Sequence, residues 1–345
     1  MKTVLIVRRD NIGDLVCTTP LFDAIRAKFP HADIHALVNS YNAAVLDGNP
    51  NVSKIHVYEK LKHKRNIFSA PWSIARRVRL LLHLRSLRFD CAIIAGSKLQ
   101  PRVVKYLQWI RPKHVVGYVD EPNSAPRTID LSVPTDSTQG LHEVAATFRL
   151  LTRLGIGGEP SIVKVYPRTR RDEPSFVSAQ QLYVGVHISS RKPTQRWHDD
   201  NFVEFILQLR QRYAAKVVLF WSPGAESNKR HPGDDKKASA ILSRLNDPNV
   251  IAIPTSTLRE LIDEMTKPDI FVCSDGGAMH IAAGLGKPIL CFFGDSDAEH
   301  WHPWGVPYEL LQPASRLVSD ISVAEAIGGF EKLLARVKHA GLGNN

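Results

Sequence analysis

Chemistry-bearing residues gather in four loops, each following a short apolar, β-branched run. The first is Arg8-Arg9-Asp10-Asn11-Ile12-Gly13-Asp14. Gly13 permits a tight turn, and Asp14 stands where a helix would begin. Its carboxylate could cap that helix or serve as a general base at the mouth of a strand; physics alone favours the cap. The second loop runs from His187 to Trp197 and crowds Ser189, Ser190, Arg191, Lys192 and Arg196 together. Hydroxyls, backbone N–H groups and cations between a strand and a helix suit a phosphate. The third, Ser274-Asp275-Gly276-Gly277-Ala278-Met279-His280, places two glycines at a helix start, where a diphosphate could approach the backbone. His280 taken alone reads as a structural histidine. The fourth, from Phe292 to Gly305, holds His300 and His302 beside Trp301 and Trp304. Its spacing matches no metal-ligand set, so it reads as an aromatic-packed loop and no metal is expected.

These loops need a scaffold that brings strand ends together. Apolar runs at 3–7, 34–38, 55–58, 91–95 and 115–118 form one series. Runs at 183–188, 217–221, 250–253, 270–273 and 289–293 form a second. They are four to six residues long, as buried parallel strands are, and alternate with helical spacings at 141–154, 201–213 and 323–337. The pattern means an α/β fold with two doubly wound parallel sheets of about five strands each. A chain of 345 residues also exceeds what one core usually supports. Gly157-Gly158-Glu159-Pro160 and the polar stretch 167–174 suit a linker. The boundary falls within 160–180, giving domains 1–165 and 166–345. The sequence leaves open whether the last helix packs back on the first domain. The first loop is not GxGxxG, so a nicotinamide-binding domain is not supported.

Composition narrows the partner. Hydrophobic residues make up 43% of the chain, which excludes wholesale disorder. Four scattered cysteines argue against a disulfide framework. Only four apolar residues precede the first charges after Thr3, too few for a signal peptide, and no run approaches a membrane span. A cytoplasmic, peripheral protein is expected. The formal net charge is +11. Residues 1–164 carry 24 Lys/Arg against 13 Asp/Glu, while residues 165–345 carry 21 of each, so the excess lies in the first domain. Lys60, Lys62, Lys64, Arg65, Arg76 and Arg77 belong to a stretch, 60–88, with nine cations and no acid. Within it Ile74, Val78, Leu81, Leu82 and Leu84 interleave with arginines, as in a basic amphipathic helix on an anionic membrane surface. An ordinary surface helix with a solvated basic face is the bland alternative. Nucleic acid is not expected, because no aromatic platform interleaves with the cations.

Together these motifs resemble glycosyltransferase family 9, the heptosyltransferases of lipopolysaccharide core assembly. The likeness rests on Ile12-Gly13-Asp14, Thr19-Pro20-Leu21, Asn49-Pro50-Asn51-Val52, Trp197, Ser274-Asp275, Met279-His280-Ile281-Ala282-Ala283, Leu285-Gly286-Lys287-Pro288 and Phe293-Gly294, in the family's order. The resemblance implies the GT-B architecture, two Rossmann-like domains facing a cleft, with acceptor bound by the first and nucleotide-sugar by the second. It implies inverting, metal-independent transfer of a sugar, usually from ADP-heptose, to a phosphorylated glycolipid core. No cofactor is implied. Asp14 would be the base. Ser189 and Ser190 match the family's hydroxyl pair, the Gly276–Gly277 helix start would meet the diphosphate, Glu226 would meet the ribose, and Asp275 and His280 would belong to the same donor-binding set. Two positions depart from the family: Gln195 stands where a lysine is frequent, and Asp275-Gly276-Gly277 lacks a hydroxyl. Arg191, Lys192 or Arg196 must then supply the cation, with Arg196 the first choice. The alternatives are a nucleotide-sugar epimerase or hydrolase of the same fold, which would turn over donor without acceptor, and a glycosyltransferase with a different donor.

Overall fold

The computed structural model describes residues 1–58, 70–121, 126–168, 181–228 and 232–342. Lys60, Lys62, Lys64 and Arg65 lie outside the described residues. The chain divides into two units, Met1–Val163 and Lys164–Asn345. In the first, β1 (Thr3–Val7), β2 (Asp33–Asn39), β3 (Lys54–Tyr58), β4 (Cys91–Ile94), β5 (His114–Val119) and β6 (Leu131–Pro134) form one sheet. Its helices are α1 (Ile12–Cys17), α2 (Thr19–Lys28), α3 (Ala70–Ser86), α4 (Pro101–Ile110) and α5 (Glu143–Phe148). In the second, β7 (Tyr183–His187), β8 (Lys216–Trp221), β9 (Val250–Pro254), β10 (Ile270–Ser274), β11 (Ile289–Phe292) and β12 (Tyr308–Leu311) form the other sheet. Its helices are α6 (Asp199–Tyr213), α7 (Asp235–Leu245), α8 (Leu258–Glu264), α9 (Gly277–Gly284), α10 (Ala298–Trp301) and α11 (Val323–Leu342).

Every strand pair is parallel. The orders are β3-β2-β1-β4-β5-β6 and β9-β8-β7-β10-β11-β12, the same doubly wound order twice. Strand order reverses between β1 and β4, and again between β7 and β10. Open α/β sheets bind ligands beyond the carboxyl ends of strands at such reversals. The Asp14 loop follows β1, the Ser189–Arg196 loop follows β7, and the Gly276–Gly277 turn follows β10.

Each sheet has six strands, one more than the sequence suggested. The additional strands, β6 and β12, are both at sheet edges and only partly buried. β6 ends in Pro134, which lacks the N–H that an interior strand needs. Neither carries the continuous apolar run of a strand covered on both faces, as β1 does with Val4, Leu5, Ile6 and Val7. The helical spacing at 141–154 also resolves into two pieces: α5, then a 3-10 segment, Arg149–Leu154, that stops at Gly155. The last helix packs within the second unit, where Phe330, Leu333 and Leu334 join its core and Arg336 donates to the Tyr308 carbonyl at 3.0 Å.

Trp197 fastens the Ser189–Arg196 loop to that core. It is 2% exposed, its indole N–H donates to the Ile321 carbonyl at 2.7 Å, and its ring meets Phe202 and Phe205 edge-on. Burial satisfies both ends of the indole at once. All four cysteines are buried and none forms a disulfide; burial pushes the Cys91 thiol up to about 12, so it behaves as a small apolar residue.

The first unit buries a histidine pair between β2 and β3. His35 Nδ1 lies 2.9 Å from His56 Nε2, and the His83 ring of α3 approaches His56 at 5.6 Å. Burial, and then the neighbouring His35, His83 and Lys54, lower His56 to about 4; His35 is lowered by burial despite Asp33. A histidine whose folded pKa lies below its unfolded value takes up its proton on unfolding. Its stabilising effect is therefore complete above roughly pH 6.5 and lost as pH falls toward 4. The thermal midpoint should drop between pH 6.5 and 4.5, and His56→Gln should flatten that drop; an unchanged slope in calorimetric melts would contradict this.

Candidate active site

Arg8, the residue after β1, is the hub of the first unit's site. Its side chain is 3% exposed. Nη2 donates to Asp14 Oδ1 at 2.6 Å and to Glu143 Oε1 at 2.7 Å, while Nε lies 3.5 Å from Asp10. Glu143 opens α5, is 1% exposed, and accepts a second bond from Thr147. Burial opposes the charge on Arg8, yet Glu143, Asp14 and Asp10 together hold it firmly protonated. For Asp14, burial likewise opposes ionisation, but Arg8 and the Asn11 N–H outweigh it. Its carboxyl lies below the ordinary aspartate value. The Asn11 N–H donates to Asp14 Oδ2 at 2.8 Å. One oxygen of Asp14 thus takes the capping contact from Asn11 and the other the ion pair with Arg8.

In the second unit Gln195 joins the separate loops. It is 4% exposed, and its Nε2 donates to Asp275 Oδ2 at 2.6 Å and to Ser296 Oγ at 2.7 Å. Its Oε1 accepts from Ser190 at 3.4 Å. Lys192 reaches Asp295 at 3.3 Å, and Thr194 donates to the same oxygen at 2.9 Å, so Asp295 is held below its ordinary value by these two contacts. Gly294 is required here: an added Cβ would lie 2.3 Å from the Thr194 carbonyl oxygen. Arg196 donates Nε to the Ser190 carbonyl at 3.0 Å and lies 3.3 Å from Glu226. Arg191 is exposed and has no partner among the described residues. The first-choice cation is therefore held by two contacts, and Arg191 is the uncommitted one.

Ser189 has a structural task, since its Oγ accepts from the Ser222 N–H at 2.9 Å and donates to Asp234. Glu226 lines an open cavity of about 600 Å³ with Gly224, Ala225, Ser227, Asp235 and Lys236. Gly276 has φ +158°, rare for residues with a side chain, and the space where a Cβ would stand is empty to 4 Å. His280 is 4% exposed and packs edge-on to Trp301, which accords with a structural histidine. His187 is lowered to about 4 by burial and adds no charge at neutral pH. Of the cations expected to meet the acceptor or membrane, Arg76 lies within the described residues and is exposed. Arg77 turns inward, over the Tyr58 and Tyr106 rings at 5.6 and 6.0 Å.

Sequence reasoning assigned no role to Arg8 or Glu143. The available signal was an acid on an apolar stripe: Glu143, Thr147 and Leu151 follow at i, i+4 and i+8, and all three are buried. Arg8→Met would leave the buried Glu143 and the partly buried Asp14 without their cation, expected to cost about 3–5 kcal/mol at neutral pH. Those carboxyls would then have raised folded pKa values, so the variant should recover stability as pH falls toward 5. Urea midpoints equal to wild type at pH 7.5 would refute it.

The model of glycosyltransferase family 9 (heptosyltransferase) matches residues 77–315. A lipopolysaccharide heptosyltransferase 3 of Escherichia coli is 25% identical, covering 85% of this chain and 83% of its own. A lipooligosaccharide heptosyltransferase 2 of Haemophilus influenzae is 18% identical, covering 96% and 94%. A family 9 glycosyltransferase from Veillonella parvula superposes with a TM-score of 0.77 at 19% identity over 97% of both chains. The E. coli heptosyltransferase WaaC with ADP gives 0.76 at 16% identity over 96% and 99%. These likenesses bear out the two-domain GT-B fold, and the matched span covers well over half the chain. The protein is a glycosyltransferase and belongs to family 9, the heptosyltransferases.

Proposed function

We propose that the protein transfers heptose from ADP-heptose to a hydroxyl of a phosphorylated lipopolysaccharide core, with inversion and without a metal. The observation that carries this reading is Asp14, a carboxylate held ionised where the strand order of the first sheet reverses. Asp14 removes the proton from the acceptor hydroxyl as its oxygen attacks the anomeric carbon. The bond from that carbon to the diphosphate breaks, and the electron pair leaves on the β-phosphate oxygen. A single displacement inverts the centre. Charge then grows on the leaving group, where fixed donors are most effective. The N–H groups at the Gly276–Gly277 helix start, the Ser190 hydroxyl and the Arg191 guanidinium supply them, and Glu226 accepts from the ribose. The E. coli WaaC structures with ADP and with ADP-2-deoxy-2-fluoro heptose support the choice of donor.

Acceptor phosphates and an anionic membrane surface, at the cytoplasmic face, are the partners of the basic stretch that includes Lys60, Lys62, Lys64, Arg65 and Arg76. No helix among the described residues is long and apolar enough to cross a membrane, so association would be peripheral.

Asp14→Asn should lower kcat by about 10²–10⁴-fold, the usual contribution of a positioned base, with ADP binding retained. Retained transfer in a coupled ADP-release assay would reject the mechanism. In a thermal-shift panel, ADP should stabilise the protein over UDP and GDP, by roughly 2.7 kcal/mol at a hundredfold excess over Kd. A flat response would reject the donor. Donor turnover in the absence of acceptor would instead favour a hydrolase or epimerase.

A further inference from the structure

The sequence suggests one apolar face on the basic helix α3; the structure gives it two. Leu84 is buried, and Leu80, Leu81 and Leu87 pack against the first unit's core. Those residues suffice to dock the helix on its sheet. Ile74, Val78 and Leu82 point the other way, 54%, 46% and 56% exposed. Spaced by four, they form a single line along the helix. The neighbouring α4 adds Trp109, 63% exposed, whose carbonyl accepts from Arg85 at 3.4 Å. Large apolar side chains in one exposed line, beside an exposed tryptophan, need an explanation that isolated surface residues do not.

The charge around this line identifies what covers it. Arg76, Arg79 and Arg85 on α3 and Arg102 and Lys105 on α4 are exposed. Residues 70–113 contain ten Lys/Arg and one acid, Asp90, which is paired with Lys113 at 2.7 Å. A second copy of such a surface would bring like charges together. An anionic bilayer does the opposite: its headgroups attract the cations while its acyl boundary receives the apolar line, and tryptophan favours that boundary. We infer that Ile74, Val78, Leu82 and Trp109 form a membrane-inserting edge by which the first domain lies on an anionic bilayer. This rests on the peripheral-membrane reading above and adds to it a specific apolar contact.

The test is co-sedimentation of the full-length protein with phosphatidylethanolamine/phosphatidylglycerol vesicles, beside phosphatidylcholine vesicles. Wild type should bind the anionic vesicles selectively. The triple variant Ile74→Ser, Val78→Ser, Leu82→Ser keeps every charge and should bind them at least about tenfold more weakly, with unchanged melting and ADP binding. Equal binding by the triple variant overturns the insertion and leaves the electrostatic reading standing. Failure of wild type to bind overturns both. A concentration-dependent dimer abolished by the triple variant assigns the line to self-association and also overturns the inference.

Discussion

A buried guanidinium needs carboxylates, and in this protein that need organises the residues around Asp14 in the first unit. Arg8 leaves β1 at the point where the sheet's order reverses, already almost excluded from water. Its charge draws Asp14 from α1 and Glu143 from α5, residues 135 positions from Arg8 in the second case. Sharing Nη2 between them has a chemical result. Arg8 keeps Asp14 ionised, while Glu143 takes part of the cation and opposes a deeper lowering of Asp14. Positioning and proton affinity of Asp14 thus follow from one three-residue arrangement.

The second unit solves a different problem, holding several loops in register with little net charge. Gln195 uses both amide hydrogens and its carbonyl oxygen to join Asp275, Ser296 and Ser190. A lysine at that position would bring a cation to Asp275; glutamine leaves it as a hydrogen-bond acceptor only. The cations nearby are then distributed, Lys192 toward Asp295 and Arg196 toward Glu226, with Arg191 left open. Oriented dipoles of this kind suit the proposed diphosphate without the desolvation cost of burying an additional charge.

Much of the fold was legible in the sequence because parallel strands buried on both faces are nearly uninterrupted apolar runs. Two of the four edge strands, Leu131–Pro134 and Tyr308–Leu311, escaped because a partly covered strand can mix polar and apolar residues, as these two do; β3 and β9, also at edges, kept enough β-branched residues to be read. The split of the 141–154 helix escaped because a 3-10 segment and an α-helix share similar apolar spacing over so short a span. For the site, the loops themselves were readable, since Gly, Ser, Asp and cations cluster where strands end. The partners of each side chain were not.

Sequence by itself determined the α/β architecture, the family, the strand-end loops and the one-sided distribution of charge. All of these depend on local composition and order. Tertiary structure alone decided that Glu143 meets Arg8, that Ser189 is tied to Ser222, and that α3 turns Leu81 and Leu84 inward while leaving Ile74, Val78 and Leu82 outside. Those outcomes depend on which neighbour arrives from a distant part of the chain. Helical spacing states that residues share a face, but only the packed sheet determines which face is buried.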